Sequence, residues 1–217
     1  MPTHVFGDPK WPVKNVFVIS IRATRKRDFQ LRMRPIVPFV KTWSGVDGRR
    51  LDLQNLKDQG IQMKRGVLGC FLAHRRIWQL IVQQKLKRGL IMEDDAIWVQ
   101  KYTHARYVVT KALLYLETKH PGWDILLLGR NPRKCENKES ITSRLVKTGA
   151  FWGLFSYIIS AKGARTLVQC AETRFPQKPC DVLVSDLAVA GSLEVYALRN
   201  EACTYITRLK SDTFGIL

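Results

Sequence analysis

The chain has 217 residues, of which 46% are hydrophobic and 25% are charged, so it can bury one sizeable core. This composition excludes an intrinsically disordered chain. The charge is strongly positive, because 36 Lys and Arg residues against 18 Asp and Glu residues give a net charge of +18. Such a charge favours an anionic partner, whether nucleic acid, an anionic membrane surface or a phosphate-bearing small molecule.

The predicted elements alternate between strands and helices, which indicates an α/β fold with a largely parallel sheet in one domain. In chain order they are a strand at residues 16–21, a helix to about residue 34, an edge strand at 35–43, a short helix at 51–57, a long helix at 66–87, a strand at 90–92, a helix at 102–119, strands at 123–129 and 155–159, a helix to about residue 171, a helix at 182–190 and a strand at 193–198. Thr24 and Ser160 are the predicted N-caps. Residues 130–143 are predicted to form a basic loop that could move over a site.

The cysteines are widely spaced and include no Cys-x-x-Cys pair; they are Cys70, Cys135, Cys170, Cys180 and Cys203. This spacing argues against a disulfide framework and against a structural zinc site, and it fits a reducing compartment. Residues 1–11 lack the apolar region of a signal peptide, and no apolar span reaches ~18 residues. We therefore expect a cytoplasmic protein without a transmembrane segment, whose basic surface could contact an anionic membrane peripherally.

Three adjacent acids, Glu93, Asp94 and Asp95, follow the predicted strand at residues 90–92. Their mutual repulsion beside a low-dielectric core is costly, and a divalent cation would relieve it. Ligands of open α/β sheets bind beyond the carboxyl ends of strands, where these acids fall. The sequence therefore indicates a metal or ligand site, with a solvated acidic turn that caps the next helix as the alternative.

Two further features allow two interpretations each. The basic residues after the first strand, Arg22, Arg25 and Arg27, can either meet a diphosphate or form a solvated helix face. His74 lies on the apolar stripe of the long helix, where a histidine is either a core residue or a ligand.

The order of several motifs resembles glycosyltransferase family 25, which contains bacterial lipooligosaccharide galactosyltransferases and animal collagen hydroxylysine galactosyltransferases. The motifs are Val16-Phe-Val-Ile-Ser-Ile with Arg27, Gly45-Val-Asp-Gly48, Gly69-Cys-Phe-Leu-Ala-His74 ahead of Trp78, Leu90-Ile-Met-Glu-Asp-Asp-Ala96, Trp123-Asp-Ile-Leu-Leu-Leu-Gly129, Tyr157-Ile-Ile-Ser-Ala-Lys-Gly-Ala164 with Leu167, Pro179-Cys-Asp181 and Val195-Tyr-Ala197. The resemblance implies a Rossmann-like GT-A fold that binds a nucleotide sugar. One such domain would span residues 1–217, with its core at about residues 15–206.

The resemblance also implies a reaction. It is the metal-dependent, inverting transfer of a hexose, with galactose expected, from a UDP-sugar to a hydroxyl on a glycan, a lipooligosaccharide or a hydroxylysine-bearing protein. Mn²⁺, with Mg²⁺ as the alternative, would be held by Asp95 together with Asp94 or Glu93. The implied donor-binding residues are Ser20, Arg27, Asp47, His74, Glu93 and Asp94.

An inverting displacement needs a base on the face of the sugar opposite the leaving group. Asp181 is the predicted base, because it opens a helix after a Pro-Cys turn and matches an acid of the family pattern; Asp186 is the reserve. The two would lie about 140° apart on one helix and so would not act together. The alternative role of Asp181 is to cap that helix.

The chain departs from the family pattern at two places, because Ser20-Ile21 replaces Asn-Leu and Ala73-His74 replaces Ser-His. Ser20 can still bond a uracil or a ribose, whereas Ala73 provides no hydroxyl. Two other functions remain as alternatives: a basic nucleic-acid-binding protein and a non-catalytic family member. Nucleic acid is the less expected partner, because the tryptophans fall in apolar segments where core packing explains them.

Overall fold

The structure is a computed structural model that describes residues 11–33, 40–58, 60–99, 102–131, 134–173, 177–199 and 203–205. Its strands are β1 (Val16–Ser20), β2 (Val40–Ser44), β3 (Arg88–Glu93), β4 (Ala96–Trp98), β5 (Ile125–Gly129), β6 (Cys135–Ser140), β7 (Leu145–Phe151), β8 (Ser156–Ser160), β9 (Val195–Leu198) and β10 (Cys203–Tyr205). Its helices are α1 (Ala23–Met33), α2 (Leu53–Asp58), α3 (Arg65–Gln83), α4 (Tyr102–Lys119), α5 (Ala161–Thr173) and α6 (Cys180–Val189), with a 3-10 helix at Gly48–Arg50.

Within the described residues, one sheet holds eight strands in the order β2-β1-β3-β8-β5-β9-β7-β6, and β4 pairs separately with β10. β1 is parallel to both β2 and β3, and β5 is parallel to β9. β8 runs antiparallel to β3 and β5, and β7 runs antiparallel to β9 and β6. All the described strands of this sheet except β8 and β7 therefore point the same way, and the predicted α/β fold is confirmed.

Helices cover both faces of the sheet. On β1, Val16 and Val18 belong to the core that contains residues of α1 and α4, whereas Phe17 and Ile19 belong to the core that contains residues of α3, α5 and α6. This division follows from the strand geometry, in which successive side chains point to opposite faces. It also explains why β1 and β5 read as continuous apolar runs, since strands covered on both faces need no polar side.

Of the local predictions, one is confirmed, two are wrong and one lies partly outside the described residues. Ser160 is confirmed as a cap, because its Oγ accepts a hydrogen bond of 3.0 Å from the Gly163 amide at the start of α5. Thr24 is not a cap, since it lies inside α1. The loop predicted at residues 130–143 contains β6, whose polar side chains face solvent at the sheet edge. Residues 34–39 of the predicted helix end and edge strand lie outside the described residues.

None of the described helices is both long enough and apolar enough to cross a membrane.

Two glycines allow α3 to pack directly on the loop after β2. A Cβ atom at Gly69 would lie 2.5 Å from the carbonyl oxygen of Val46, and one at Gly48 would lie 2.2 Å from the carbonyl oxygen of Arg65. Both contacts are with backbone, which cannot turn away as a side chain can. The loop after β2 is therefore fixed against the first turns of α3.

Replacing Gly48 with Ala is expected to lower the free energy of unfolding by about 2 kcal/mol, because the new methyl group overlaps the Arg65 carbonyl and forces the loop away from α3. Denaturant unfolding measures this loss. Gly122→Ala is the matched control, since a Cβ atom there meets nothing within 4 Å. Equal stabilities of the two variants would contradict this close packing of the loop on α3.

Candidate active site

A cleft lies at the edge of the sheet where the carboxyl ends of β1, β2 and β3 meet. Parallel strands place their carboxyl ends together, and this edge is where α/β sheets bind their ligands. Five segments line the cleft: the end of β1, Arg25 of α1, the loop after β2, the first half of α3, and the acids at the end of β3 and just after it. The predicted acidic site and the two glycine-bearing motifs thus meet in one place.

Asp94 and Asp95 have exposed fractions of only 7% and 5%, and both line the cleft. The hydroxyl of Ser20 lies 2.6 Å from Oδ2 of Asp94 and can donate to it. Arg25 places a guanidinium nitrogen 3.7 Å from Oδ1 of Asp94, and Arg32 donates a hydrogen bond of 3.0 Å to the Asp94 carbonyl oxygen. Burying carboxylates this deeply costs free energy unless nearby cations compensate their charge, and Arg25 contributes one such positive charge.

Glu93 lines the same cleft but also faces His74 on α3. Its Oε1 lies 3.4 Å from Nε2 of His74, and Nδ1 of His74 lies 2.8 Å from the hydroxyl of Tyr157. Trp78 donates a hydrogen bond of 2.9 Å to the same hydroxyl. His74 is therefore a core residue with partners at both ring nitrogens, and it also touches an acid of the cleft.

The pKa of His74 is raised to about 9: burial of the ring lowers it, but hydrogen bonds to Cys70 and Glu93 raise it more. The neighbouring Cys70 thiol has its pKa raised by Cys180 and by burial. Burial likewise raises the pKa of Tyr157. Behind the cleft, His74 and Cys70 therefore influence each other's ionisation.

Three predicted donor-binding residues do not line the cleft, namely Arg27, Asp47 and the fully buried His74. Arg27 lies on the exposed side of α1, and Arg25 points into the cleft instead. The carboxylate of Asp47 accepts hydrogen bonds from the backbone and the guanidinium of Arg49, which lower the pKa of Asp47 to about 2. Asp47 thus begins the 3-10 helix at Gly48–Arg50 and shapes the loop beside the cleft.

The two candidate bases differ in their surroundings. Oδ2 of Asp181 accepts a hydrogen bond of 2.9 Å from the Gly153 amide, and Oδ1 accepts one of 2.9 Å from the Val182 amide. Asp186 is exposed and pairs with Lys178 at 2.6 Å. Asp181 is not the N-cap of α6, because Pro179 occupies that position.

A short segment after β7 connects Asp181 with the acids, although Asp181 itself does not line the cleft. Gly153 of this segment donates to Asp181, and the carbonyl oxygen of Phe155 accepts a hydrogen bond of 2.8 Å from the Glu93 amide. Gly153 has a φ of +89°, a conformation that favours glycine. The acids after β3 and the start of α6 therefore contact the same few residues.

Sequence reasoning missed one contact behind the cleft. Cys70 of α3 and Cys180 of α6 lie 110 positions apart in the chain, yet their sulfurs are 3.9 Å apart beside His74. The helical spacing of Cys70 and His74 indicates that these two share a face. Spacing along the chain does not indicate that Cys180 joins them, because this contact forms only when α3 and α6 pack in the same core.

The family model described as "Glycosyltransferase family 25 (LPS biosynthesis protein)" matches residues 14–184. The chain is 29% identical to "Probable inactive glycosyltransferase 25 family member 3" of Rattus norvegicus, over 76% of this chain and 32% of the relative. It is 26% identical to "Procollagen galactosyltransferase 2" of Homo sapiens, over 74% of this chain and 29% of the relative. A "Glycosyltransferase 25 family member" of Anopheles gambiae is 27% identical over 74% of this chain and 29% of the relative.

The chain thus spans about a third of the length of these curated relatives. The matched region includes β1, Arg25 of α1, the loop after β2, α3 and the acids at the end of β3, so it contains every segment that lines the cleft. It also includes the start of α6. Because the family model covers most of the chain together with the whole cleft, the chain belongs to glycosyltransferase family 25.

Proposed function

We infer that the protein is a metal-dependent, inverting glycosyltransferase that moves a hexose from a nucleotide sugar to a hydroxyl acceptor. The observation that carries this proposal is the pair of buried carboxylates, Asp94 and Asp95, at the carboxyl edge of the sheet beside Arg25. A nucleoside diphosphate is an anion. A site that combines acids with an arginine suits it when a bound metal cation links the carboxylates to the phosphates.

Asp94 and Asp95 fit a hard divalent cation, since both offer carboxylate oxygens and both line the cleft. They would hold Mn²⁺ or Mg²⁺, and the bound ion would neutralise the negative charge on the diphosphate leaving group. Glu93, the third predicted ligand, is within reach of His74 and Cys70 instead. We therefore assign the ion to Asp95 and Asp94.

The roles of the remaining residues follow from their positions. Arg25 would bind the phosphate oxygens of the donor, and Ser20 orients the carboxylate of Asp94. Asp181 would take the proton of the acceptor hydroxyl, because two backbone amides hold its carboxylate in one orientation while each oxygen keeps a further lone pair. Asp186 is the weaker choice, since Lys178 already pairs with it at the surface.

The proposed donor is UDP-galactose, by analogy with the procollagen galactosyltransferase relatives. A glycan, a lipid-linked sugar or a hydroxylysine-bearing protein would be the acceptor. The relative named as probably inactive leaves one alternative within the same family, a protein that binds the donor without turnover. The two functions make different predictions for the same assay.

Hydrolysis of a panel of UDP- and GDP-sugars, with and without Mn²⁺, tests the proposal. We expect release of UDP from UDP-galactose that depends on the metal, because water can replace a missing acceptor slowly. Metal-dependent donor binding without release of UDP would instead indicate the non-catalytic alternative. Neither turnover nor metal-dependent donor binding for any sugar would overturn the proposal.

A further inference from the structure

A cluster of metal-ligating side chains lies behind the cleft, in a part of the site that the proposed reaction does not use. Cys70 and His74 are four positions apart on α3 and so share one face, and Cys180 is the first residue of α6. One ligand atom from each of these three residues lies within 4.8 Å of the others. Glu93, at the end of β3, adds a carboxylate oxygen to the same cluster.

Three distances between these atoms are close to those between the ligands of a tetrahedral zinc ion. Zinc–ligand bonds of ordinary length place two sulfurs about 3.8 Å apart and a nitrogen and an oxygen about 3.3 Å apart. The sulfurs of Cys70 and Cys180 are 3.9 Å apart, and Nε2 of His74 lies 3.4 Å from Oε1 of Glu93. The distance from Cys70 Sγ to Glu93 Oε1 is 3.8 Å, slightly above the value of about 3.5 Å for bonded ligands.

The donor set and its surroundings also suit zinc. Two thiolates and an imidazole select thiophilic ions such as Zn²⁺, whereas Mn²⁺ and Mg²⁺ prefer sites built from oxygen, such as Asp94 and Asp95. A zinc-binding histidine usually has a partner at its other ring nitrogen, and the Tyr157 hydroxyl lies 2.8 Å from Nδ1 of His74. Cys70 and Glu93 line the cleft, so an ion can reach the buried His74 and Cys180 from solvent.

We propose that Cys70, His74, Cys180 and Glu93 bind one zinc ion, through Sγ, Nε2, Sγ and Oε1 respectively. Binding releases the two thiol protons and any proton on Nε2, so the bound ligands are two thiolates, a neutral imidazole and a carboxylate. The ion joins α3, β3 and α6, and it therefore fixes the start of α6, which carries Asp181, against the strand that carries the acids. This proposal is independent of the proposed reaction, because the two sites use different side chains.

The test uses the full chain, stripped of metal with a chelator under reducing conditions and then titrated with Co²⁺ and with Zn²⁺. We expect one equivalent of either metal per chain, with the absorption that marks cobalt–thiolate bonds. Zinc should also raise the temperature of thermal unfolding. Cys180→Ala and Cys70→Ala are each expected to weaken zinc binding at least tenfold, as measured by competition with a chromophoric chelator.

Controls separate this site from general thiol binding and from the proposed enzyme site. Cys170→Ala should bind zinc as the unmodified chain does, since this cysteine lies on α5 outside the cluster. Asp95→Asn should retain zinc even when it loses metal-dependent donor hydrolysis, so either proposal can fail alone. If a cysteine variant does not fold, Glu93→Gln replaces it, because this change keeps both thiols and should weaken zinc while retaining the cobalt–thiolate absorption.

Three results would overturn the proposal. One is a chain that shows no cobalt–thiolate absorption and takes up no zinc after reduction. Another is zinc affinity that is equal in the unmodified chain and in Cys180→Ala. The third is a thiol titration in which Cys70 and Cys180 form a disulfide while the reduced chain binds no metal, since the pair would then respond to oxidation instead.

Discussion

Asp95→Asn is expected to reduce metal-dependent release of UDP at least about 100-fold, a loss of about 3 kcal/mol of transition-state stabilisation. The substitution keeps the size of the side chain but removes its negative charge and one hard oxygen ligand. Asp95 is almost fully buried at the cleft, so solvent screens the loss of its charge only weakly. Initial rates at saturating Mn²⁺ and donor, with the Mn²⁺ affinity measured in parallel, quantify the effect.

Asp58→Asn is the matched control, because it makes the same chemical change at an exposed acid whose side chain bonds only to Gln54 in the described structure. It should release UDP at the rate of the unmodified chain. Full activity of Asp95→Asn, at the same Mn²⁺ affinity, would contradict the metal assignment. Loss of activity together with a fall in the unfolding temperature would point to a structural role, and circular dichroism distinguishes the two.

Asp181→Asn is expected to lower the rate of sugar transfer by about 10²- to 10⁴-fold while donor binding is unchanged, because an amide cannot take the acceptor proton. The amide oxygen can still accept one of the two backbone hydrogen bonds that Asp181 now accepts, so most of the local structure should survive. The rate of transfer should also lose the dependence on pH that an ionised base produces. Transfer to an added acceptor, with the donor affinity from titration, measures both properties.

Ser185→Ala provides the comparison for a purely structural effect. Ser185 lies on the same helix, and its hydroxyl accepts a hydrogen bond of 3.0 Å from the Phe151 amide, so its removal loosens α6 from β7 without touching Asp181. If Ser185→Ala slowed transfer as much as Asp181→Asn, Asp181 would be a positioning residue. A large effect in Asp181→Asn alone, without a change in stability, would support the role of a base.

The sequence predicted the parts of the fold and the site that depend on local patterns. The apolar runs of β1, β3 and β5 identify strands covered on both faces, and the acids after β3 follow directly from one of them. Because parallel strands end at the same edge, the sequence alone predicts that Ser20 and the acids lie in one cleft. The long α3 follows equally well from its helical periodicity.

The remaining features depend on contacts between residues that are distant in the chain. Arg25 is an exception, because it lies four residues before the buried Phe29 and shares its face of α1, whereas Arg27 lies on the exposed side. Cys70 meets Cys180 because α3 and α6 pack on the same face of the sheet. β6 was missed because an edge strand that faces solvent lacks the apolar alternation by which strands are recognised.

The charged composition of β6 affects whether copies of the protein aggregate through this strand. β6 is at one edge of the described eight-stranded sheet, and an edge strand is a template on which a strand of another molecule can add. Glu136, Lys138 and Glu139 place charges of both signs along it, and Lys138 also bonds to the last carbonyl oxygens of α6. An incoming strand would have to bury these charges, so this edge resists aggregation in crowded solutions.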